Sequence, residues 1–166
     1  YHFYVKYEVS QFEEETMQYK LLEENHEIDR LQTCIKELSE HHNKLNPHFK
    51  RIYPIDPISE TLSKFKNEVR DKYRLIYALV KNEDIEGFCS ISFKDNQGSI
   101  DYLYVKESMR NSGYGSIFMN WALDEFSSRN IELIDVQVVT GNPAESLYKK
   151  FGFETRIHLM TRPITK

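Results

Sequence analysis

The chain has 166 residues, enough for one domain with a sizeable core, and its 40% apolar and 29% charged residues are a globular mix rather than a disordered one. A net charge of −4 disfavours broad nucleic-acid binding, and the charge is uneven, since residues 8–40 hold ten acids against three bases. Cys34 and Cys89 lie in apolar patterns without metal-ligand spacing, no apolar run approaches the ~18 residues of a membrane span, and the first residues lack the basic-then-apolar order of a signal peptide, so the expectation is a cytoplasmic protein with reduced cysteines, no bound metal and no membrane partner.

Residues 2–10, HFYVKYEVS, alternate, with Phe3, Val5, Tyr7 and Val9 on one side, which is the pattern of a half-buried strand. The next stretch has two readings. Ser10 and Glu13 fit a capping box that opens a helix, or MQYKLLEE at 17–24 is a second strand and Asn25 caps a helix from His26. In the helix, Ile28, Leu31, Ile35 and Leu38 recur at helical spacing to about Leu45, where Asn46-Pro47 stops it. Its acids read as a solvated face, or as an attraction for a cationic substrate.

Pro47, Pro54 and Pro57 mark a loop, and a short helix covers roughly 58–72. YRLIYALV, IEGFCSISF and SIDYLYV are three strands joined by the polar turns KNED and KDNQG. RNSGYGS, 110–116, leads into a helix traced by Ile117, Phe118, Trp121, Ala122 and Phe126. IELIDVQVV, 131–139, is a buried strand. Asn142-Pro143 starts a helix that runs to Phe151, Gly152 ends it, and FETRIHLMT is a closing strand. The order predicts an α/β fold, a mixed sheet with helices on both faces.

RNSGYGS holds two of only six glycines, where a strand gives way to a helix. The first amides of a helix have no partner inside it, and its dipole favours negative charge there. Gly113 and Gly115 let a phosphate approach the backbone, Arg110 adds a charge-assisted bond, and Asn111 and Ser112 tolerate a tight turn. The stretch lacks the Gly-Lys-Ser/Thr ending of a nucleotide triphosphatase loop and the full G-x-G-x-x-G of a dinucleotide site.

YVKESMRNSGYGS, 104–116, resembles the coenzyme A loop of the GCN5-related N-acetyltransferase family, whose core is Arg/Gln-x-x-Gly-x-Gly/Ala. GNPAESLYKKFGF, 141–153, is similar to that family's second signature at Asn142, Ala144, Leu147, Tyr148, Lys150, Gly152 and Phe153. MQYKLLEENHEIDRLQTCIKEL resembles its opening strand and first helix, which selects the strand at 17–24. The resemblance covers 17–166 and leaves 1–16 as an extension, either an added edge strand or an arm that assembles two copies into a homodimer. Glu107 and Asn111 stand where the family often has proline and glycine.

The resemblance implies an acetyl-coenzyme A cosubstrate and acetyl transfer to an amine. It implies that backbone groups of Leu103, Tyr104 and Val105 pair with the pantetheine arm. The amides of Asn111, Ser112, Gly113, Tyr114, Gly115 and Ser116 would then hold the pyrophosphate. Asn142 touches the pantetheine side and also suits a helix cap, two compatible roles. Tyr148 matches the family's general acid, against a plain core aromatic. Asp101 is a candidate base, against a solvated edge acid. His41, His42, Pro47, Phe49 and Tyr53 fall where the family shapes its acceptor pocket. The acidic first helix favours a cationic small-molecule amine, and a protein amine stays open. A non-catalytic acyl-coenzyme A sensor is the rival function.

Overall fold

The computed structural model describes residues 16–164. β1 (Met17–Leu21) is followed by α1 (Asn25–Asp29), α2 (Leu31–Leu45), a 3-10 turn at Pro47–Phe49 and α3 (Ile58–Arg70). The meander β2 (Arg74–Lys81), β3 (Asp84–Lys94) and β4 (Gln97–Val105) leads through a second 3-10 turn, Glu107–Met109, into α4 (Tyr114–Ser128), β5 (Leu133–Val136) and α5 (Ala144–Lys150). The strands lie in chain order, the first four antiparallel, and β5 joins β4 in parallel. A parallel neighbour needs a crossover, which α4 supplies. No helix among the described residues is long and apolar enough to cross a membrane.

Alternation along β2 divides the molecule into two cores. Ile76, Ala78 and Val80 face α1–α3, where Ile28, Leu31, Ile35, Leu62 and Phe65 pack on them. Leu75, Tyr77 and Leu79 face α4 and α5, with Phe118, Met119, Ala122, Phe126 and Tyr148. Each large apolar side chain fully buried here contributes about 1.5–3 kcal/mol.

Several boundaries differ from the expectations. The first described strand ends at Leu21, and Glu24, rather than Asn25, opens α1 in a capping box with Glu27. The strand expected at 131–139 shortens to Leu133–Val136. The closing strand expected at 153–161 does not form. Its residues alternate, but a strand needs a neighbour offering backbone groups in register. Here Arg156 Nη2 reaches Asp135 Oδ2 at 3.0 Å without a ladder, and Ile157 and Leu159 are exposed. The expected strand at 2–10 lies outside the described residues.

β4 carries the irregularity that matters. Ser90 pairs with Tyr102 and Ile91 with Ile100, so Asp101 is an extra, unpaired residue. Such a bulge bends its strand and raises the local twist. The β4–β5 ladder runs from Gln97–Leu133 to Ile100–Val136 and ends there.

Candidate active site

Past Ile100 the two strands part, and 101–105 of β4 continue without a β5 neighbour. The bulge also reverses which residues face which core. Ile100, Leu103 and Val105 lie on the α4–α5 side, while Tyr102 and Tyr104 lie on the α1–α3 side. Tyr102 packs edge-on against Phe65, with ring centroids 5.4 Å apart, and the Tyr104 hydroxyl donates to the Glu37 carboxylate. Side chains thus anchor this half-strand on both faces, and its backbone edge lines the gap.

The gap leads to the 111–116 loop. Asn111 has φ +61° and Gly113 φ +90°, left-handed conformations that turn the chain into α4. Asn is the side chain that best tolerates that region after glycine. The Arg110 amide donates to Glu107 O and the Ile117 amide to Gly113 O. Among the described residues, none of the six amides between them, 111–116, donates to a protein acceptor. A Cβ built on Gly113 would meet nothing within 4 Å, so the front of the loop is open. Consecutive unpaired donors at the positive end of a 15-residue helix suit an anionic diphosphate. Arg110 Nε donates to Val105 O at 2.9 Å, which ties the guanidinium to the end of β4. Gly115 answers to a second constraint that the sequence did not reveal. A Cβ there would lie 3.0 Å from Leu147 Cδ2, so its smallness lets α4 approach α5.

The second wall is the β5–α5 connection. Asn142 Oδ1 accepts the Ala144 N–H at 3.0 Å, which makes Asn142 the effective cap of α5. Tyr148, one turn further on, is 7% exposed and packs edge-on with Phe153. Burial first, and then the neighbouring Cys89, push its hydroxyl well above the ordinary tyrosine range, so it holds its proton at neutral pH. Both cysteines are buried and free, and burial pushes the Cys34 thiol up to about 12.

Asp101 is committed on both oxygens. Arg74 Nη1 donates to Oδ2 and Ser99 Oγ to Oδ1, each at 2.8 Å. Arg74 is only 3% exposed and also bonds Glu68 Oε2 at 2.7 Å and Ser90 Oγ at 2.6 Å, with its guanidinium 4.4 Å from the centre of the Phe65 ring. The sequence did carry the signal for this network. Arg74 falls on the same face as Ile76 and Ala78, and a cation on a buried face requires acids.

Of the residues expected near an acceptor, His42 packs edge-on against Tyr53 at 5.3 Å, and the His41 and His42 rings lie 6.0 Å apart. Tyr104, Glu37, Cys34, Glu83, Asp84 and Lys106 border a hollow of about 440 Å³ on the α2 side of β4. Among the described residues no group of three or more His, Cys, Asp or Glu is gathered as for a metal.

A family model described as the acetyltransferase (GNAT) family matches residues 35–153, more than half of the chain and both walls of the gap. The chain belongs to the GNAT family. No curated protein matches the sequence significantly. The GNAT fold is shared with solved structures of low identity. A predicted acetyltransferase from Clostridium acetobutylicum, solved with acetyl-CoA, has a TM-score of 0.72 and 19% identity over 89% of this chain and 96% of its own. PaiA N-acetyltransferase from Thermoplasma acidophilum, in complex with coenzyme A, has a TM-score of 0.65 and 17% identity over 84% of this chain and 91% of its own. The aminoglycoside N-acetyltransferase AAC(6′)-Iy, in complex with CoA, has a TM-score of 0.63 and 11% identity over 90% of this chain and 95% of its own.

Proposed function

We propose that this GNAT protein transfers an acetyl group from acetyl-coenzyme A to a primary amine. The observation that carries the proposal is the β4–β5 gap ending on six unpartnered amides, 111–116. When bound, acetyl-coenzyme A supplies an acetyl group activated as a thioester. The amides and Arg110 hold its diphosphate. The backbone edge of Leu103, Tyr104 and Val105 pairs with the pantetheine amides as an added strand would. Asn142 meets the arm from the opposite wall.

Tyr148 keeps its proton at neutral pH and delivers it to the departing sulfur, a transfer typically worth ~10²–10⁴ in rate. An attacking alkylamine must first lose a proton, since its pKa is near ~10.4. Asp101 is the residue of this chain offered for that step, directly or through water. It would have to release Ser99 or Arg74 to accept the proton. Around the α2-side hollow the acids Glu37, Glu83 and Asp84 exceed the bases Arg30 and Lys106, of which Arg30 pairs with Glu83, and this one-charge excess supports a cationic acceptor. The aminoglycoside acetyltransferase among the similar folds is consistent with that class.

The committed state of Asp101 favours one alternative, a protein that binds acyl-coenzyme A without turnover. One experiment separates the two. Coenzyme A thiol release from acetyl-coenzyme A is followed against polyamines, aminoglycosides, peptide N-termini and lysine peptides. Amine-dependent release by any class supports transfer. Tight coenzyme A binding in calorimetry with no release for any class would leave the binding module.

A further inference from the structure

Arg74 opens β2 on the α1–α3 side of the sheet, and its guanidinium is tied to three other elements. Nε donates to Glu68 of α3, and Nη1 donates both to Ser90 of β3 and to Asp101 of β4, at 2.7, 2.6 and 2.8 Å. The guanidinium lies over the Phe65 ring, which Tyr102 meets edge-on from β4. Asp101 is the extra residue of the bulge and Tyr102 is the partner of Ser90, so both are held on one face through Arg74 and the ring beneath it. Ser99 Oγ completes the grip by donating to Asp101 Oδ1.

Backbone bonds alone do not decide where an extra residue sits, because neighbouring registers offer much the same ladder. Side chains decide it. Moving the bulge one residue towards Ser99 would pair Asp101 with Ile91, whose side chain lies in the α4–α5 core, and would turn the carboxylate away from Arg74. A buried cation would then be short of an acid, which is strongly disfavoured. An ion pair on a buried face adds little stability over apolar packing, and fixing a register is its best-attested use. The place of the bulge matters here because the β4–β5 ladder ends at Ile100–Val136, one residue before Asp101. It determines where β4 bends away and which backbone groups of 102–105 face the gap.

We infer that Arg74 is a positioning residue of the coenzyme site. Through Asp101 it fixes the bulge, and the bulge sets the register in which Leu103, Tyr104 and Val105 offer their backbone to the pantetheine arm. The inference rests on the acetyl-coenzyme A reading above. The phosphates belong to a different segment, the 111–116 amides and Arg110. Losing the register therefore weakens the grip on the arm and spares the phosphates.

The test titrates the full chain, without acceptor, with two ligands: coenzyme A and 3′-phospho-ADP, which carries the same adenosine phosphates but no pantetheine arm. Calorimetry gives the first affinity and competition against coenzyme A the second, and their ratio measures what the arm contributes. Asp101→Ala removes the carboxylate from the bulge. Arg74→Lys keeps the charge but cannot reach Glu68, Ser90 and Asp101 at once. Each should weaken coenzyme A by about tenfold, the worth of one or two backbone hydrogen bonds, and leave 3′-phospho-ADP within about twofold of wild type. Asp101→Asn, which keeps an acceptor for Arg74, should restore most of the ratio. If Arg74→Lys does not fold, the two Asp101 variants carry the test. An unchanged ratio in a folded Asp101→Ala protein would overturn the inference alone, and so would equal weakening of both ligands, the mark of a general loss of structure. Absence of coenzyme A binding by wild type, or no gain from the arm, would overturn the acetyl-coenzyme A reading, and this inference with it.

Discussion

Replacing Gly113 separates the cost of folding from the cost of binding. Gly113 has φ +90° and ψ −2°, and a Cβ there meets no atom within 4 Å. Gly113→Ala therefore meets no clash and carries only the left-handed backbone penalty, about 1–2 kcal/mol. For a chain of this size that lowers Tm by roughly 2–8 °C. If the strained loop relaxes, its amides turn away from the diphosphate. Each charge-assisted bond is worth about 1.5–3 kcal/mol, so losing two weakens coenzyme A by at least ~100-fold. Gly113→Asn, which tolerates the conformation better, should recover most of the stability. Thermal melts without ligand and calorimetric titration with coenzyme A read the two quantities independently. A Gly113→Ala protein whose Tm is unchanged, its loop relaxed, but whose affinity stays within threefold of wild type would refute the reasoning, because the amides of this turn would then hold nothing.

Tyr148→Phe keeps the ring against Phe153 and should leave Tm nearly unchanged while lowering kcat at least ~10-fold, and a normal kcat would assign Tyr148 to packing alone. Arg74→Met strips the cation that Glu68 and Asp101 share and should destabilise by about 2–4 kcal/mol in denaturant melts, with a loss under 0.5 kcal/mol contradicting the network. Asp101→Asn still accepts from Arg74, so a rate loss that eases as pH rises would mark the base role, and a loss of stability alone would mark the anchor. Burial pushes the His42 imidazole down to about 4, whereas the unfolded chain takes its proton near ~6.5. The unfolded state thus binds more protons between those values, and stability present above pH 6.5 is lost towards pH 4. After discounting for the solvent that reaches this half-buried ring, the loss is about 1–2 kcal/mol, and His42→Gln should remove it from urea melts compared at pH 7.5 and pH 5.

Most of the fold was legible because its signals are local. The apolar stripe of α2, the three alternating strands of the meander and the Asn-Pro start of α5 each carry their own period or cap. The turn at 111–116 was legible for the same reason, since two glycines between an alternating and a helical period mark a strand–turn–helix junction. What escaped is set by partners distant in sequence. The bulge at Asp101 appears only when Ser90 and Ile91 are laid beside β4. The short β5 and the unpaired 153–164 segment depend on where β4 bends away, which no property of IELIDVQVV or FETRIHLMT encodes.

The extra residue in β4 also bears on how such a protein can diversify. A bulge is an integer, so no point substitution removes it in part. Deleting Asp101 would close the ladder into plain alternation, with Tyr102 and Tyr104 still towards α1–α3 and Leu103 and Val105 still towards α4, so both cores would keep their contents and the bend alone would be lost in one step. Substitutions at Glu37, Glu83 or His41 leave that count untouched. The opening between the strands is thus a discrete inheritance, while the chemistry around it varies continuously, and a new acceptor is within reach of side-chain changes that never put the cleft itself at risk.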